Sequence, residues 1–307
     1  MKMKKLSALL FATVMAASVL TGCGSGDTPA SGTPDSVSTP SSGTSSETSS
    51  ESGTETTLSP DVQAIVDRGV LRVGVKNAVL GFGYQDELTG EYSGMEIELA
   101  QKIADYLGVD CEFTAVTAAT RTELLDSGDI DCVLATFTIT DERKKSWDFT
   151  TPYYTDYVTV LVENSSGITD LSGLVDKKVG VSSGSTSAKS LTKAMIEGGF
   201  IDGTNFDPDT FDAATWTTGI SFQQYDDYPT ISTALSAGEV DAFCVDKSIL
   251  AVYNTDSRSY INDKFSPQEY GIATKKDSGF SKLCDELVTT WLADGTIDAL
   301  IKENGID

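Results

Sequence analysis

The sequence predicts an α/β fold of two lobes joined by two chain crossings, with a ligand cleft between them. Three observations carry this. Apolar runs of strand length alternate with stretches of helical period, in the β-α-β-α-β order of a parallel sheet. That alternation occurs twice, over residues 71–134 and again over 178–245. The chain passes between the two units near 155–159 and again near 268–272, and two connections make a hinge rather than a simple tether.

The elements follow in order. Leu71-Arg72-Val73-Gly74-Val75-Lys76 reads as a buried strand, and the glycine-rich loop Leu80-Gly81-Phe82-Gly83-Tyr84 follows it. Apolar residues at Met95, Leu99, Ile103 and Leu107 predict a helix that Gly108 ends. Residues 111–116 form a second strand, 118–126 a short helix carrying Arg121, and 130–134 a third strand. The aromatic stretch 147–154 reads as a loop and 157–162 as a strand. In the second unit, strands are expected at 178–181, 220–223 and 240–245, with helices at 187–197 and 229–237 and a long loop at 198–218. Asp246 opens a helix, 270–274 is a strand, and helices at 278–292 and 297–303 close the chain.

The first 60 residues have a different character. Lysines at 2, 4 and 5 precede a mostly apolar run over 9–20, the pattern of an export signal too short to span a membrane stably. It ends in Leu20-Thr21-Gly22-Cys23, which resembles a bacterial lipobox and implies a lipid on Cys23. Residues 24–60 are rich in Ser, Thr, Gly and Pro, so they bury too little to offset the entropy of ordering and read as a flexible tether. The expected organisation is a signal peptide at 1–22, a lipid-anchored linker at 23–60, lobe 1 at 61–157 plus 269–307, and lobe 2 at 158–268.

Composition excludes several classes of function. The chain carries 22 Lys+Arg against 46 Asp+Glu. Three of the lysines and five of the acids lie in residues 1–60, which leaves 19 cations against 41 anions, a net −22, for 61–307. Such a surface argues against nucleic acid and anionic lipid, and it makes any concentration of positive charge informative. There is no histidine, so histidine triads and histidine metal sites are excluded. Beyond Cys23 the cysteines are 111, 132, 244 and 284, without CxxC spacing, so neither a metal nor a redox cofactor is expected.

The residues that carry chemistry fall at the carboxyl ends of the predicted strands, where open α/β sheets bind ligands. Lys76 ends the first strand, and Arg121 lies just past the second. Past the third comes Ala135-Thr136-Phe137-Thr138-Ile139-Thr140-Asp141-Glu142-Arg143. Arg143 offers a planar fork that matches a carboxylate, and Thr136 and Thr138 offer hydroxyl donors beside it. The same stretch also reads as a polar turn with Thr140 as helix cap. In the second unit, Gly184-Ser185-Thr186 leads into a helix whose N–H groups favour an anion, and Asp246 follows a strand. An α-amino acid needs a fork for its carboxylate and an anion for its ammonium, which Arg143 and Asp246 supply. Lys76 and Arg121 are then spare cations, costly to bury unpaired, and a side-chain carboxylate would satisfy them. Phe82 is a candidate cleft wall.

With those residues in view, the sequence over 61–307 resembles the bacterial extracellular solute-binding proteins of family 3, the receptors of polar amino-acid ABC importers. The resemblance rests on 71–76, Thr136 to Arg143, Phe149-Thr150-Thr151-Pro152-Tyr153-Tyr154, the run 240–250, and Tyr270-Gly271-Ile272-Ala273-Thr274. It implies a type II periplasmic-binding-protein-like fold that closes over a free amino acid and docks on a membrane permease. It also implies carboxylate binding by Arg143 with Thr138, and ammonium binding by Asp246. Residues 116–121, 135–140 and 245–250 are similar to the glutamate/aspartate branch, which implies that Lys76 and Arg121 hold a side-chain carboxylate. Ala78, Leu80, Tyr157, Thr159 and the loop at 198–218 depart from that branch. Glutamine-like or cystine-like ligands are the alternative, and a dehydratase acting on a small carboxylate, or a sensory domain working through a separate partner, are more distant ones. The expected protein is a monomeric, non-enzymatic receptor held outside the cytoplasm by lipidated Cys23, with no cofactor.

Overall fold

Two sheets, each parallel at its centre, organise the structure. A computed structural model describes residues 58–306, all within one unit spanning 55–307. The signal segment, Cys23 and nearly all of the tether lie outside the described residues. In chain order, α1 (Pro60–Arg68) leads into β1 (Val70–Val75), followed by the short strands β2 (Ala78–Val79), β3 (Gly83–Gln85) and β4 (Tyr92–Ser93). Next come α2 (Met95–Leu107), β5 (Asp110–Ala115), α3 (Arg121–Ser127), β6 (Cys132–Leu134), a 3₁₀ turn at Arg143–Lys145, and β7 (Trp147–Phe149). The second lobe holds β8 (Tyr154–Glu163), β9 (Lys178–Ser182), α4 (Ser187–Glu197), β10 (Ser221–Tyr225) and α5 (Tyr228–Ala237). It continues through β11 (Ala242–Asp246), α6 (Lys247–Leu250), β12 (Arg258–Tyr260) and β13 (Phe265–Tyr270). The chain returns to the first lobe as β14 (Ala273–Lys275), α7 (Gly279–Ala293) and α8 (Thr296–Glu303).

The first sheet has the order β5-β1-β6-β14-β7 and the second β10-β9-β11-β8-β12, with β13 also paired to β8. β1 is parallel to β5 and β6, and β9 is parallel to β10 and β11, as helical crossovers require. The returning strands β14 and β8 run antiparallel to these centres. Parallel strands bury both faces, and β6 and β11 are buried at every position. Leu71, Val73 and Val75 of β1 join Met95, Leu99 and Ile103 of α2 in one buried cluster.

Several elements lie where the sequence suggested loops. In α1, Pro60 stands at the first turn, and Gly69 closes the helix at φ 74°, its N–H reaching the carbonyls of Ile65 and Val66. β7 lies inside the aromatic stretch. The loop at 198–218 packs upon itself: Phe211 and Trp216 have ring centroids 5.7 Å apart, and Phe206 meets both. Asx turns at Asp202, Asp207 and Asp212 shape its backbone.

The chain crosses between the sheets over 150–153 and again over 271–272. On the far side of both crossings β8 and β13 pair antiparallel, with Tyr154 opposite Tyr270 and Asp156 opposite Gln268. This two-stranded ribbon joins the lobes and carries buried polar side chains at the floor of the cleft.

Candidate functional site

The turn after β6 is held in place from two sides. Thr136 has φ 45°, an uncommon value for a β-branched residue. Its N–H donates to Glu96 Oε1 at 2.6 Å, and Arg121 Nη1 donates to the carbonyls of Ala135 at 3.0 Å and Thr136 at 3.4 Å. Glu96 also accepts from the Tyr153 hydroxyl at 2.5 Å and is completely buried. Burial raises its carboxyl above the ordinary value, while Lys76 and Arg121 favour the charged form.

Farther along, Thr140 Oγ1 accepts the Arg143 N–H at 3.1 Å, while the 3₁₀ turn itself starts from Glu142 rather than from Thr140. That turn also presents Arg143 to the cleft. Its Nη1 donates to Thr138 O at 2.7 Å, and its Nη2 crosses to the second lobe and donates to Gly184 O at 3.0 Å. The Arg121 and Arg143 guanidinium carbons lie 3.7 and 4.6 Å from the centre of the buried Phe137 ring. Burial lowers Arg121 to about 10. Burial, followed by repulsion from Arg121, lowers Arg143 to about 9. Both remain cations at neutral pH.

Lys76 follows β1 and is 3 % exposed. Its Nζ lies 5.2 Å from the centre of the Tyr228 ring and has no hydrogen-bond partner among the described residues. Burial and then Arg121 press the ammonium well below its ordinary value, with Glu96 and Asp246 opposing. On the second lobe, Asp246 ends β11 without capping α6. Its Oδ2 instead accepts from the Tyr270 hydroxyl at 2.5 Å, and that hydroxyl also lies 3.3 Å from Asp156 Oδ2. Burial, then the Asp156 charge, raises Asp246 to about 7.

Six of the predicted residues, Arg121, Thr136, Thr138, Arg143, Thr186 and Asp246, line one small chamber of about 10 Å³. Lys76 lines the adjoining cavity of about 380 Å³, and Ala118 and Tyr228 border both. Gly184 lines neither, but it is where the lobes meet: at φ 74°, a Cβ there would stand 2.7 Å from Ala118 O. Gly184→Ala therefore blocks closure, with a local backbone strain of about 1–2 kcal/mol in the second lobe; ligand affinity should fall by roughly tenfold or more. Titration calorimetry beside an unchanged circular dichroism spectrum checks this.

Phe82 lies elsewhere than expected. It is fully buried in the lobe 1 core, edge-on to Tyr154 at 4.9 Å, and lines neither cavity. The threonine hydroxyls are also differently engaged from the sequence reading. Thr136 Oγ1 donates to Ala135 O, while Thr138 and Thr186 each donate to Gln268 Oε1 at 2.8 Å. Residues to which the sequence reading gave no place in the site are Glu96, Gln268, Tyr228 and Tyr270. Glu96 had a signal: it shares a helical stripe with Ala100 and Ile103, the buried face of α2. Ser185 and Ser187 also face the small chamber, and their buried hydroxyls have no partner among the described residues.

The small chamber sets the guanidiniums of Arg121 and Arg143 against one lining carboxylate, Asp246, and the larger cavity adjoins it; opposite charges so placed suit the two ends of a zwitterion. The chain is similar to several known proteins. ABC transporter glutamine-binding protein GlnH of Bacillus subtilis is 30 % identical over 98 % of this chain and 97 % of its own length. The L-cystine-binding protein TcyJ of Escherichia coli K12 is 31 % identical over 77 % of this chain and 82 % of its own. Among solved structures, an ancestral arginine-binding protein bound to arginine superposes with a TM-score of 0.64 at 31 % identity, covering 77 % of this chain and 98 % of that one. A family model for bacterial extracellular solute-binding proteins, family 3, matches residues 71–305, and the chain belongs to that family.

Proposed function

We propose that this solute-binding protein captures an acidic amino acid, glutamate or aspartate, for an ABC importer, by closure of the two lobes. The receptor part of this reading follows from family membership and from relatives that bind amino acids. The acidic part is carried by one observation, the charge balance of the cleft. Arg143 pairs with the α-carboxylate, and Asp246 pairs with the ammonium. Asp156 lies beside Asp246 at the other end of the cleft, so the buried acid near Lys76 and Arg121 is then Glu96, and one positive charge there is in local excess. A side-chain carboxylate matches it, whereas a neutral side chain leaves it uncompensated at a cost of several kcal/mol. The free Ser185 and Ser187 hydroxyls and the start of α4 add donors for an anion on the second lobe.

The same proposal attaches the receptor outside the cytoplasm through lipidated Cys23, as a monomer that binds without turnover. Among the described residues, no helix is long and apolar enough to cross a membrane.

Calorimetric titration of the wild type and Arg121→Met with glutamate and with glutamine tests the acidic reading. A charge-assisted contact contributes about 1.5–3 kcal/mol, so glutamate affinity should fall roughly 10- to 150-fold and glutamine affinity much less. Equal losses for both ligands, or a wild type that prefers glutamine, overturn the reading.

A further inference from the structure

We propose that Gln268 is a positioning residue of the ligand site: it fixes the Thr138 and Thr186 hydroxyls as acceptors toward the ligand's ammonium. Gln268 lies on β13, opposite Asp156 in the ribbon that joins the lobes, and is 3 % exposed. Its Nε2 donates to Ser266 O at 2.8 Å. A carbonyl can only accept, so this contact fixes which end of the amide is which. Ser266 sits at φ 47°, where the β8–β13 register shifts.

Oε1 therefore faces Thr138 Oγ1 and Thr186 Oγ1, each at 2.8 Å. An amide oxygen has no proton to give, so both hydroxyls donate to it. Each hydroxyl has a single proton and two lone pairs. What both threonines then offer the chamber they line is lone pairs alone. An ammonium has three N–H donors and can bond to such oxygens together with Asp246. A carboxylate placed there would set lone pair against lone pair. The amide thus specifies polarity across the chamber: ammonium toward Gln268 and Asp246, carboxylate toward Arg143, Ser185 and Ser187. Thr138 belongs to the first lobe, Thr186 to the second and Gln268 to the ribbon between, so the acceptor pair is complete only when the lobes meet.

This inference rests on the ligand being an α-amino acid, and its test separates the two claims. Wild type, Gln268→Met and Gln268→Glu are titrated with glutamate against glutarate and with glutamine against glutaramate, each pair differing only in the amino group. The pair whose amino acid binds the wild type is the one compared. In Gln268→Met the hydroxyls are released to donate, and the preference for the amino form should shrink by roughly tenfold or more. Gln268→Glu loses the bond to Ser266 O but keeps an acceptor toward the two hydroxyls, and it should retain most of the preference. Thr138→Val with Thr186→Val, leaving Gln268 in place, should shrink the preference as Gln268→Met does, and covers the case in which that variant does not fold. Parallel loss of both members of the pair in Gln268→Met and in the double variant assigns Gln268 a purely structural role and overturns the proposal. A wild type that binds glutamine and not glutamate overturns the acidic reading while the glutamine pair still reports on Gln268. A wild type that binds neither is compared on the α-amino acid it does bind and that acid's deaminated analogue, and binding of no α-amino acid overturns both.

Discussion

Arg143→Ala should abolish amino-acid binding without unfolding the protein. The half-buried guanidinium can grip a carboxylate with two parallel donors, and it stands beside a second cation, Arg121, whose Nη1 is turned to the backbone of Ala135 and Thr136. Removing one partner of a buried charge pair costs about 3–5 kcal/mol, or roughly 10²- to 10³-fold or more in affinity. The apo protein responds differently. Arg143 holds the carbonyls of Thr138 and Gly184, and losing those bonds costs about 1–3 kcal/mol. Against this, its removal relieves repulsion with Arg121 across Phe137. The apo melting temperature should therefore move little while binding vanishes. Arg143→Lys keeps the charge but not the fork and should still lose most of the affinity. Calorimetric titration with glutamate checks both variants, and retained affinity in Arg143→Ala refutes the assignment.

That residue was legible because its evidence is local. A buried strand, two threonines and an arginine stand within a dozen positions, and one turn brings them together. The parallel centres of both sheets were legible for a similar reason, since apolar runs and helical stripes repeat in order. Glu96 was legible only as a position on the buried stripe of α2, because an acid in a helix's first turn already has an ordinary explanation in the helix dipole. Its contacts come from Thr136 and Tyr153, distant in sequence. Gln268 lies in Ser266-Pro267-Gln268-Glu269, which has a proline and no apolar alternation, so β13 reads as a loop. Its strand exists because β8 supplies the partner. Phe82 fails in the opposite sense. A glycine-flanked aromatic suggests a ligand wall, but these glycines serve backbone packing. A Cβ at Gly83 would stand 2.5 Å from Lys76 O, and one at Gly94 would stand 2.3 Å from Phe82 O. The chain folds tightly there and drives Phe82 into the core.

Asp246→Asn should stabilise the apo protein at pH 8 and lose amino-acid binding. Burial and the Asp156 carboxylate raise Asp246 from an ordinary 3.8 to about 7, with the Tyr270 hydroxyl, Arg121 and Arg143 opposing the rise. An acid raised on folding holds more protons in the folded than in the unfolded state between those two values. Its contribution to stability is thus most favourable at low pH and declines as pH rises from about 4 to about 7. Three units correspond to a penalty on the order of 4 kcal/mol at pH 8, which asparagine does not incur. An arriving ammonium reverses the shift by pairing with the carboxylate. Binding below about pH 7 then releases a proton, and affinity should fall by up to ~10-fold per pH unit on acidification. Melting curves of wild type and variant at pH 5 and pH 8 isolate this group from the other carboxylates. The gap between the two proteins should widen at pH 8 in favour of the variant and close when glutamate is added to the wild type. A gap independent of pH would mean that Asp246 is ionised throughout, already paired with Arg121 and Arg143, and that the cleft is charge-balanced before any ligand arrives.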